Sequence, residues 1–237
     1  MPWDFPVSLD SLIPAPFSPT TPCEVNPLSR PLRSKNAFTE PPDELLPKVL
    51  WYLGRLPGIG PKSAERMLHF LMETPTSEVL GLAESLRDLK ERIHRCRQCC
   101  APTEDPVCSR CLDTKRDPAL ICVVEHPRDV ALIDRAGRFR GQYHVLYGRI
   151  SPLDGISPEQ LTIDHLIDRV RQGTVKEVIL ATNPTLEGDG TALYLSSVLG
   201  NFDIKITRLA RGLPTGSSLE FANSQMLADA LDGRHPF

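Results

Sequence analysis

Two matched pairs of cysteines constrain the fold of this chain more than any other feature. Cys96 and Cys99 are separated by two residues, as are Cys108 and Cys111, and eight residues lie between the two pairs. This spacing is typical of a tetrahedral four-thiolate zinc site, in which four protein ligands leave no open coordination position. We therefore predict a structural zinc finger over residues 96–111.

The other three of the seven cysteines form no second pair of this kind. Cys100 could compete for the metal, but Cys99 completes the usual two-residue spacing. Cys23 lies in a proline-rich segment and Cys122 in an apolar run, and we expect both to be inert. The odd total, with no secretory signal over residues 1–17, argues against a disulfide framework and favours a metal site in a reducing cytosol.

Composition limits the class of protein without selecting its partner. Hydrophobic residues make up 41% and charged residues 24% of the 237 residues, which is typical of a soluble protein with one or two domains. No run of 18 apolar residues occurs, so we expect a cytoplasmic protein without a membrane partner. The net charge of −3 neither favours nor excludes a nucleic-acid partner.

The first 40 residues differ from the rest of the chain. They contain eight of the 23 prolines and little periodic apolar pattern, so we predict a disordered extension over residues 1–40. A start codon assigned too far upstream is the alternative.

Helical periodicity begins after residue 40. We predict three helices, the second beginning at Pro61 and the third running from about Ser77 to Ile93. The first helix has one apolar face and the second a buried apolar stripe, formed by Leu46, Val49, Leu50 and Leu53, and by Ala64, Met67, Leu68 and Leu71.

The segment LPGIGPKSAERM lies between the first two helices and can be interpreted in four ways. A dinucleotide fingerprint needs a third glycine, where this chain has Ser63. The fingerprint also has to follow a strand, whereas the segment before it is predicted to be a helix. A P-loop needs glycine immediately before lysine, where Pro61 stands instead. An ordinary turn between two helices is the third interpretation, and a helix–hairpin–helix is the fourth.

We favour the helix–hairpin–helix interpretation, because the full run LPGIGPKSA closely resembles the consensus of that motif. Gly58 and Gly60 permit positive φ and close backbone approach. The helix that follows then presents free N–H groups to a phosphate, and Lys62 and Arg66 add positive charge. We therefore expect sequence-independent contact with the DNA backbone.

The hydrophobic pattern of the sequence changes again after residue 117. Four short apolar runs, ALICVVE, QYHVLYG, VKEVILATN and FDIKITRLA, alternate with helical stretches around 127–136, 162–172 and 189–199. Strands that alternate with helices indicate a mainly parallel sheet.

Three acidic residues follow the predicted strands. Glu125 ends the first strand, and Glu187 and Asp189 follow the third. Functional groups gather at the carboxyl ends of parallel strands, and three carboxylates there could hold one Mg²⁺. The alternative is three solvated loop acids.

These motifs together resemble the RecR family of recombination mediators, over about Pro41 to Gly233. The resemblance rests on LPGIGPKSA, the paired cysteines, ICVVEHPRDV, GQYHVLYGRISPLDGI, EVILATNPTLEGDGTALYL and RGLPTGSSLEFA. It implies a chain of several parts, α+β and α/β in class: a helical helix–hairpin–helix region (41–95), the zinc finger (96–111), a parallel Toprim domain (119–214) and a short C-terminal segment (215–237). The 40-residue extension departs from the family.

The resemblance also implies a function. Family members form ring-like homo-oligomers, here a dimer or tetramer, that bind DNA and act with RecO, and in some lineages RecF, to load RecA at single-stranded gaps. It implies no enzymatic activity and a Toprim role for Glu125, Glu187 and Asp189. Catalytic Toprim enzymes generally have two aspartates where this chain has Glu-Gly-Asp, so any Mg²⁺ would bind weakly. The alternative is a Toprim-type Mg²⁺-dependent nuclease or other phosphoryl-transfer enzyme.

Overall fold

The computed structural model describes residue 23 and residues 40–213, 216 and 218–234. The predicted extension therefore lies outside the described residues, apart from positions 23 and 40. The chain forms two compact units, one of residues 25–94 and one of residues 1–24 with 95–237. The smaller unit is helical, and the larger unit combines helices with a parallel sheet. Both observations confirm the predicted fold class.

The smaller unit contains three helices, α1 (Leu45–Gly54), α2 (Pro61–Glu73) and α3 (Thr76–Arg92). The turn between α1 and α2 places Gly58 at φ +79°, in the region that favours glycine. Gly60 is extended and caps α2, and Pro61 occupies the first helical position, where its missing N–H costs nothing. Only one of the two glycines thus needs positive φ.

The apolar faces of these helices are only partly covered within the unit. Ala64 and Leu68 of α2 are buried, but Met67, predicted in the same stripe, is 38% exposed. On α3, Leu82, Leu86 and Leu89 are about half exposed. The periodicity correctly indicated helices, but it could not tell which apolar side chains the chain covers by itself.

The larger unit begins with the cysteine-rich segment. It has two short paired strands, β1 (His94–Arg95) and β2 (Pro102–Thr103), and one helical turn, α4 (Ser109–Leu112). The Cys96 N–H donates to the Ala101 carbonyl at 2.8 Å, and the Arg97 N–H donates to the Pro106 carbonyl at 3.0 Å. These bonds fold the segment into a compact knuckle.

A four-stranded parallel sheet follows, in the order β4-β3-β5-β6. Its strands are β3 (Asp117–Val124), β4 (Gly141–Val145), β5 (Glu177–Ala181) and β6 (Lys205–Arg208). The helices between them are α5 (Pro127–Arg135), α6 (Ile163–Arg171) and α7 (Leu186–Leu199), close to the predicted positions. Short 3-10 turns occupy Pro152–Asp154, Pro158–Gln160 and Leu219–Phe221.

A helix that the sequence did not predict, α8 (Ser224–Asp232), lies in the C-terminal segment. The Asn223 side chain caps it by accepting a hydrogen bond from the Met226 N–H at 2.8 Å. In the described part of the chain, no helix has both the length and the apolar character that a membrane crossing requires.

Alternate residues of the central strand β3 enter two different hydrophobic clusters. Ile121 and Val123 join a cluster with residues of α6 and α7. Cys122 and Val124 join one with Val130 of α5 and with the cysteine knuckle. Successive strand residues point to opposite faces, so the knuckle and α5 cover one face of the sheet and α6 and α7 the other.

The first turn of α7 is packed too closely for any side chain at Gly188, because an added Cβ would overlap the Asn183 carbonyl oxygen. We expect Gly188→Ala to destabilise the protein by about 1–3 kcal/mol, as overpacking does. Gly190→Ala, two residues along the same helix, meets no atom within 4 Å and should be neutral or stabilising. Thermal unfolding checks this prediction, and equal midpoints for the two variants would contradict it.

Candidate metal centre, acidic edge and DNA-contact helix

The four paired cysteines form one cluster. Their sulfur atoms all lie within 4.8 Å of one another, with Cys99 and Cys108 3.5 Å apart and Cys96 and Cys111 3.9 Å apart. Tetrahedral zinc with bonds of about 2.3 Å requires sulfur atoms about 3.8 Å apart. The four thiols therefore have the spacing to hold one metal ion.

Backbone geometry supports the anionic form of Cys96. The N–H groups of Gln98 and Cys108 donate to Cys96 Sγ at 3.4 and 3.3 Å. Hydrogen bonds within the cluster lower the pKa of Cys96, Cys108 contributing most, and bring the pKa of Cys108 to about 6, with Cys111 contributing most. Hydrogen bonds from Cys108 are the largest cause of the raised pKa of Cys99 and Cys111, so without metal the four thiols divide into two that ionise readily and two that keep their protons. Thiolates are the form that binds metal.

The remaining cysteines correct one expectation. Cys23, predicted to be inert, forms a disulfide with Cys100 across 77 residues. This bond also keeps Cys100 out of the metal cluster, in line with the predicted ligand set. Cys122 is a buried free thiol, and burial raises its pKa to about 12, which agrees with an inert role.

A carboxylate fastens the knuckle to the sheet. Asp134 of α5 accepts hydrogen bonds from Arg110 at 2.6 Å, Arg116 at 2.8 Å and the Tyr143 hydroxyl at 2.7 Å. Burial alone would raise the pKa of Asp134, but these three donors lower it. Because Arg110 lies between Cys108 and Cys111, this network holds the second cysteine pair against α5.

The predicted acids occupy the carboxyl edge of the sheet. Glu125 follows β3 and is fully buried. Both of its carboxylate oxygens are engaged by Asn183, which donates its backbone N–H to one and its side-chain amide to the other, each at 2.7 Å. Glu125 is therefore held in one position, with one hydrogen bond to each carboxylate oxygen.

Glu187 and Asp189 lie on the first turn of α7, because that helix begins three residues earlier than predicted. Arg149 lies 3.8 Å from the Glu187 carboxylate. Arg211 and Arg208 both pair with Asp189, Arg208 at 3.0 Å. The hydrogen bond from Arg211 is the largest cause of the lowered pKa of Asp189.

The three acids are thus already paired with protein groups. In the part of the chain that the structure describes, the close groups of metal-binding side chains are the four-cysteine cluster and the set of Cys23, Cys100 and His165. The three carboxylates do not form such a group, so the arrangement is a poor fit for one Mg²⁺ bound by all three.

Sequence reasoning missed the partners of these acids. Asn183 follows β5, and Arg208 and Arg211 lie at and beyond the end of β6. The rule that placed the acids at the carboxyl edge applies equally to these residues. Arg149 carried the same signal, because it directly follows the predicted strand QYHVLYG.

The predicted DNA-binding residues lie in the loop between α1 and α2 and in the first two turns of α2. Lys62 and Arg66 are exposed. Within α2, which is described throughout, the first turn has no acidic residue and its N-terminus has no side-chain cap. Gly60 cannot supply one, so the first N–H groups and the positive end of the helix dipole are left for an external anion.

Two family models match the chain. The model for the helix-hairpin-helix of RecR matches residues 51–90, and a Toprim domain model matches residues 119–210. The chain is therefore a protein that combines a helix–hairpin–helix with a Toprim domain.

Whole-chain relatives narrow this class. Recombination protein RecR of Rhodopirellula baltica is 52% identical over 77% of this chain and 92% of its own length. The proteins of the same name from Syntrophotalea carbinolica and Dehalococcoides mccartyi are 50% and 47% identical, over 94% and 93% of their lengths. The chain belongs to the RecR family.

Proposed function

We propose that this protein is a DNA-binding mediator of recombinational repair in the cytoplasm, which acts with RecO, and with RecF where that partner is present, to load RecA at single-stranded gaps. The observation that carries the proposal is the α1–α2 hairpin, whose uncapped helix N-terminus lies beside exposed Lys62. The names of the relatives, all recombination proteins, support a role in recombination.

The hairpin suits a phosphate and not a base. Gly58 turns the chain, Gly60 leaves the helix N-terminus open, and Lys62 and Arg66 supply charge close to it. Backbone N–H groups and cations that bind phosphate position a protein on DNA without reading its sequence. Binding is therefore largely sequence-independent.

The acidic edge serves as a contact for a partner or for DNA, without catalysis. Glu125 is held by Asn183, and Asp189 by Arg208 and Arg211. Mg²⁺ binds weakly at this edge, since it has to compete with these partners for the carboxylates. A Toprim nuclease is the alternative, and it has less support because its acids would have to be free to hold metal.

The assembly we propose is a ring-like homo-oligomer, a dimer or a tetramer. Its support is the half-exposed leucine stripe on α3, formed by Leu82, Leu86 and Leu89. Apolar stripes of this kind mark surfaces that another chain covers.

The metal we propose is zinc, held by Cys96, Cys99, Cys108 and Cys111 in a structural role. Four thiolates fill its coordination sphere, so zinc supplies folding energy and no reactive position. In finger peptides this amounts to about 10–16 kcal/mol of apparent binding free energy.

Zinc content tests the metal assignment. We expect native protein to contain one zinc per chain, and Cys108→Ser to lose zinc and soluble yield. Cys122→Ser removes a buried thiol of the same hydrophobic cluster that is not a ligand, and it should retain the metal. Elemental analysis of natively purified protein measures this, and protein without zinc would refute the assignment.

The salt dependence of DNA binding tests the hairpin. On duplex DNA the slope of log affinity against log salt is about −0.9 per neutralised phosphate. Lys62→Ala should weaken binding and make the slope less negative by about one unit for each protomer in contact. The helix should persist, because alanine favours helix and the position is exposed.

The control for Lys62 is Lys90→Ala, which removes an exposed lysine from α3 of the same unit. Its DNA affinity and salt slope should match those of the wild type. Oligomer size has to be measured beside each titration. Unchanged affinity and slope in an intact Lys62→Ala oligomer would leave Lys62 without the proposed contact.

Reconstitution tests the mediator role against the nuclease alternative. Purified protein, RecO and gapped DNA should form a complex, and RecA loading on DNA coated with single-strand-binding protein should become faster. The DNA should stay intact in Mg²⁺ or Mn²⁺. Metal-dependent cleavage that Glu125→Gln abolishes would establish the enzyme instead, and no complex with RecO would remove the mediator assignment.

A further inference from the structure

Helix α6 carries a cation in the interior of the larger unit. Arg169 is only 7% exposed. It donates to the Tyr143 carbonyl at 2.7 Å and to the Gln142 side-chain oxygen at 2.9 Å, and lies 3.5 Å from His144 Nδ1. His144 is buried, and burial lowers its pKa well below the ordinary value, so this neighbour is neutral.

Among the residues that the structure describes, no carboxylate forms an ion pair with Arg169. Asp168, its neighbour in sequence, pairs instead with Arg171 at 2.6 Å on the exposed side of α6. A buried charge without a compensating charge is strongly unfavourable, and neutral hydrogen-bond acceptors offset only part of that cost. Arg169 is therefore a buried cation whose hydrogen-bond partners are neutral.

The side chain of Gln142 links Arg169 to the cysteine cluster. Its oxygen accepts from Arg169 and also from the Gln98 side-chain amide, at 3.0 Å. Gln98 lies between Cys96 and Cys99, and its backbone N–H donates to Cys96 Sγ at 3.4 Å. Hydrogen bonds at both ends of Gln98, one from its side chain and one from its backbone, thus connect the guanidinium group through Gln142 to the sulfur of Cys96.

The cluster is the negative group that this network reaches. Four thiolates carry twice the charge of one Zn²⁺, so the filled site is a dianion, and three of its four cysteines are buried. The dianion needs a nearby cation as much as Arg169 needs an anion. Burial lowers the pKa of Arg169, and the charges of all four cysteines oppose that change.

We propose that Arg169 is the counter-charge of the four-cysteine metal site, and that it stabilises bound zinc from a separate helix. The inference rests on the proposed zinc assignment. Arg169 touches neither the metal nor its ligands directly, so it acts as a positioning and electrostatic residue. Groups hydrogen-bonded directly to metal ligands typically contribute 10–100-fold to metal affinity, and Arg169, which acts from further away, should fall at the lower end of that range.

The competing explanation gives Arg169 a purely structural role, in which it only fastens the Tyr143 carbonyl and the Gln142 side chain. Both explanations predict that loss of Arg169 is harmful. They differ in whether the loss of zinc affinity depends on the charge of the metal site.

The experiment measures zinc affinity of the full-length protein by competition with a chelator of known affinity. We expect Arg169→Met, which keeps much of the volume without the charge, to weaken zinc binding by about 10-fold, the lower end of the range for groups near metal ligands. Arg169→Lys should recover most of this loss. Arg171→Met, two residues along the same helix, removes an exposed cation and should bind zinc as the wild type does.

A double-mutant cycle separates the two explanations. Cys111→His lowers the negative charge of the filled site by one and retains a ligand set that zinc accepts. Arg169→Met should therefore weaken zinc binding less in the Cys111→His background than in the wild type. An equal effect in both backgrounds would overturn the proposal and leave Arg169 a structural role.

Two further outcomes are distinguishable. Wild-type protein without zinc would refute the metal assignment itself. If Arg169→Met is insoluble, Gln142→Glu replaces it: a carboxylate beside Arg169 competes with the cluster for the cation, so zinc binding should weaken although the Arg169 side chain remains. Unchanged affinity in Gln142→Glu would contradict the counter-charge role.

Discussion

The edge strand β4 is the constraint on which the larger unit depends. It lies at the end of the sheet, yet all five of its residues are buried. An edge strand exposes unpaired backbone groups that need cover. Here the Val145 N–H donates to the Cys99 carbonyl at 2.9 Å, and Arg169 donates to the Tyr143 carbonyl at 2.7 Å. The cysteine knuckle is therefore part of the sheet's own stabilisation and not an appended module.

The carboxyl edge of the sheet carries charged groups of both signs, and its acidic residues are paired with arginines. A divalent ion binds most strongly where carboxylates repel one another and the ion removes that repulsion. Asp189 already has Arg208 and Arg211 beside it, and Glu187 has Arg149. These arginines already compensate part of the carboxylate charge, so an ion gains less here than at a site of bare carboxylates.

The sequence predicts local features of this fold better than long-range ones. The cysteine spacing located the cluster, and alternating apolar runs located the strands, because both signals depend on neighbouring residues. The Cys23–Cys100 bond joins residues 77 positions apart and has no such signal. The exposure of Met67 likewise depends on which surfaces meet in three dimensions. The positions of Arg208 and Arg211 beside Asp189 were predictable, since both residues lie near the end of the fourth predicted strand, FDIKITRLA.

Charge explains why the knuckle and the sheet depend on each other. Without metal the cysteines can be protonated to neutral thiols. Arg169, which the hydrogen bonds of Gln142 and Gln98 link to the cluster, would then remain buried with no anion near it. Bound metal fixes the thiolate form. The site we assign to zinc would therefore stabilise the buried Arg169 of α6 as well as the cysteine loop. Arg169 in turn lowers the free-energy cost of burying the charged metal site. Neither charge is well accommodated alone, which makes the helix, the edge strand and the knuckle one electrostatic unit.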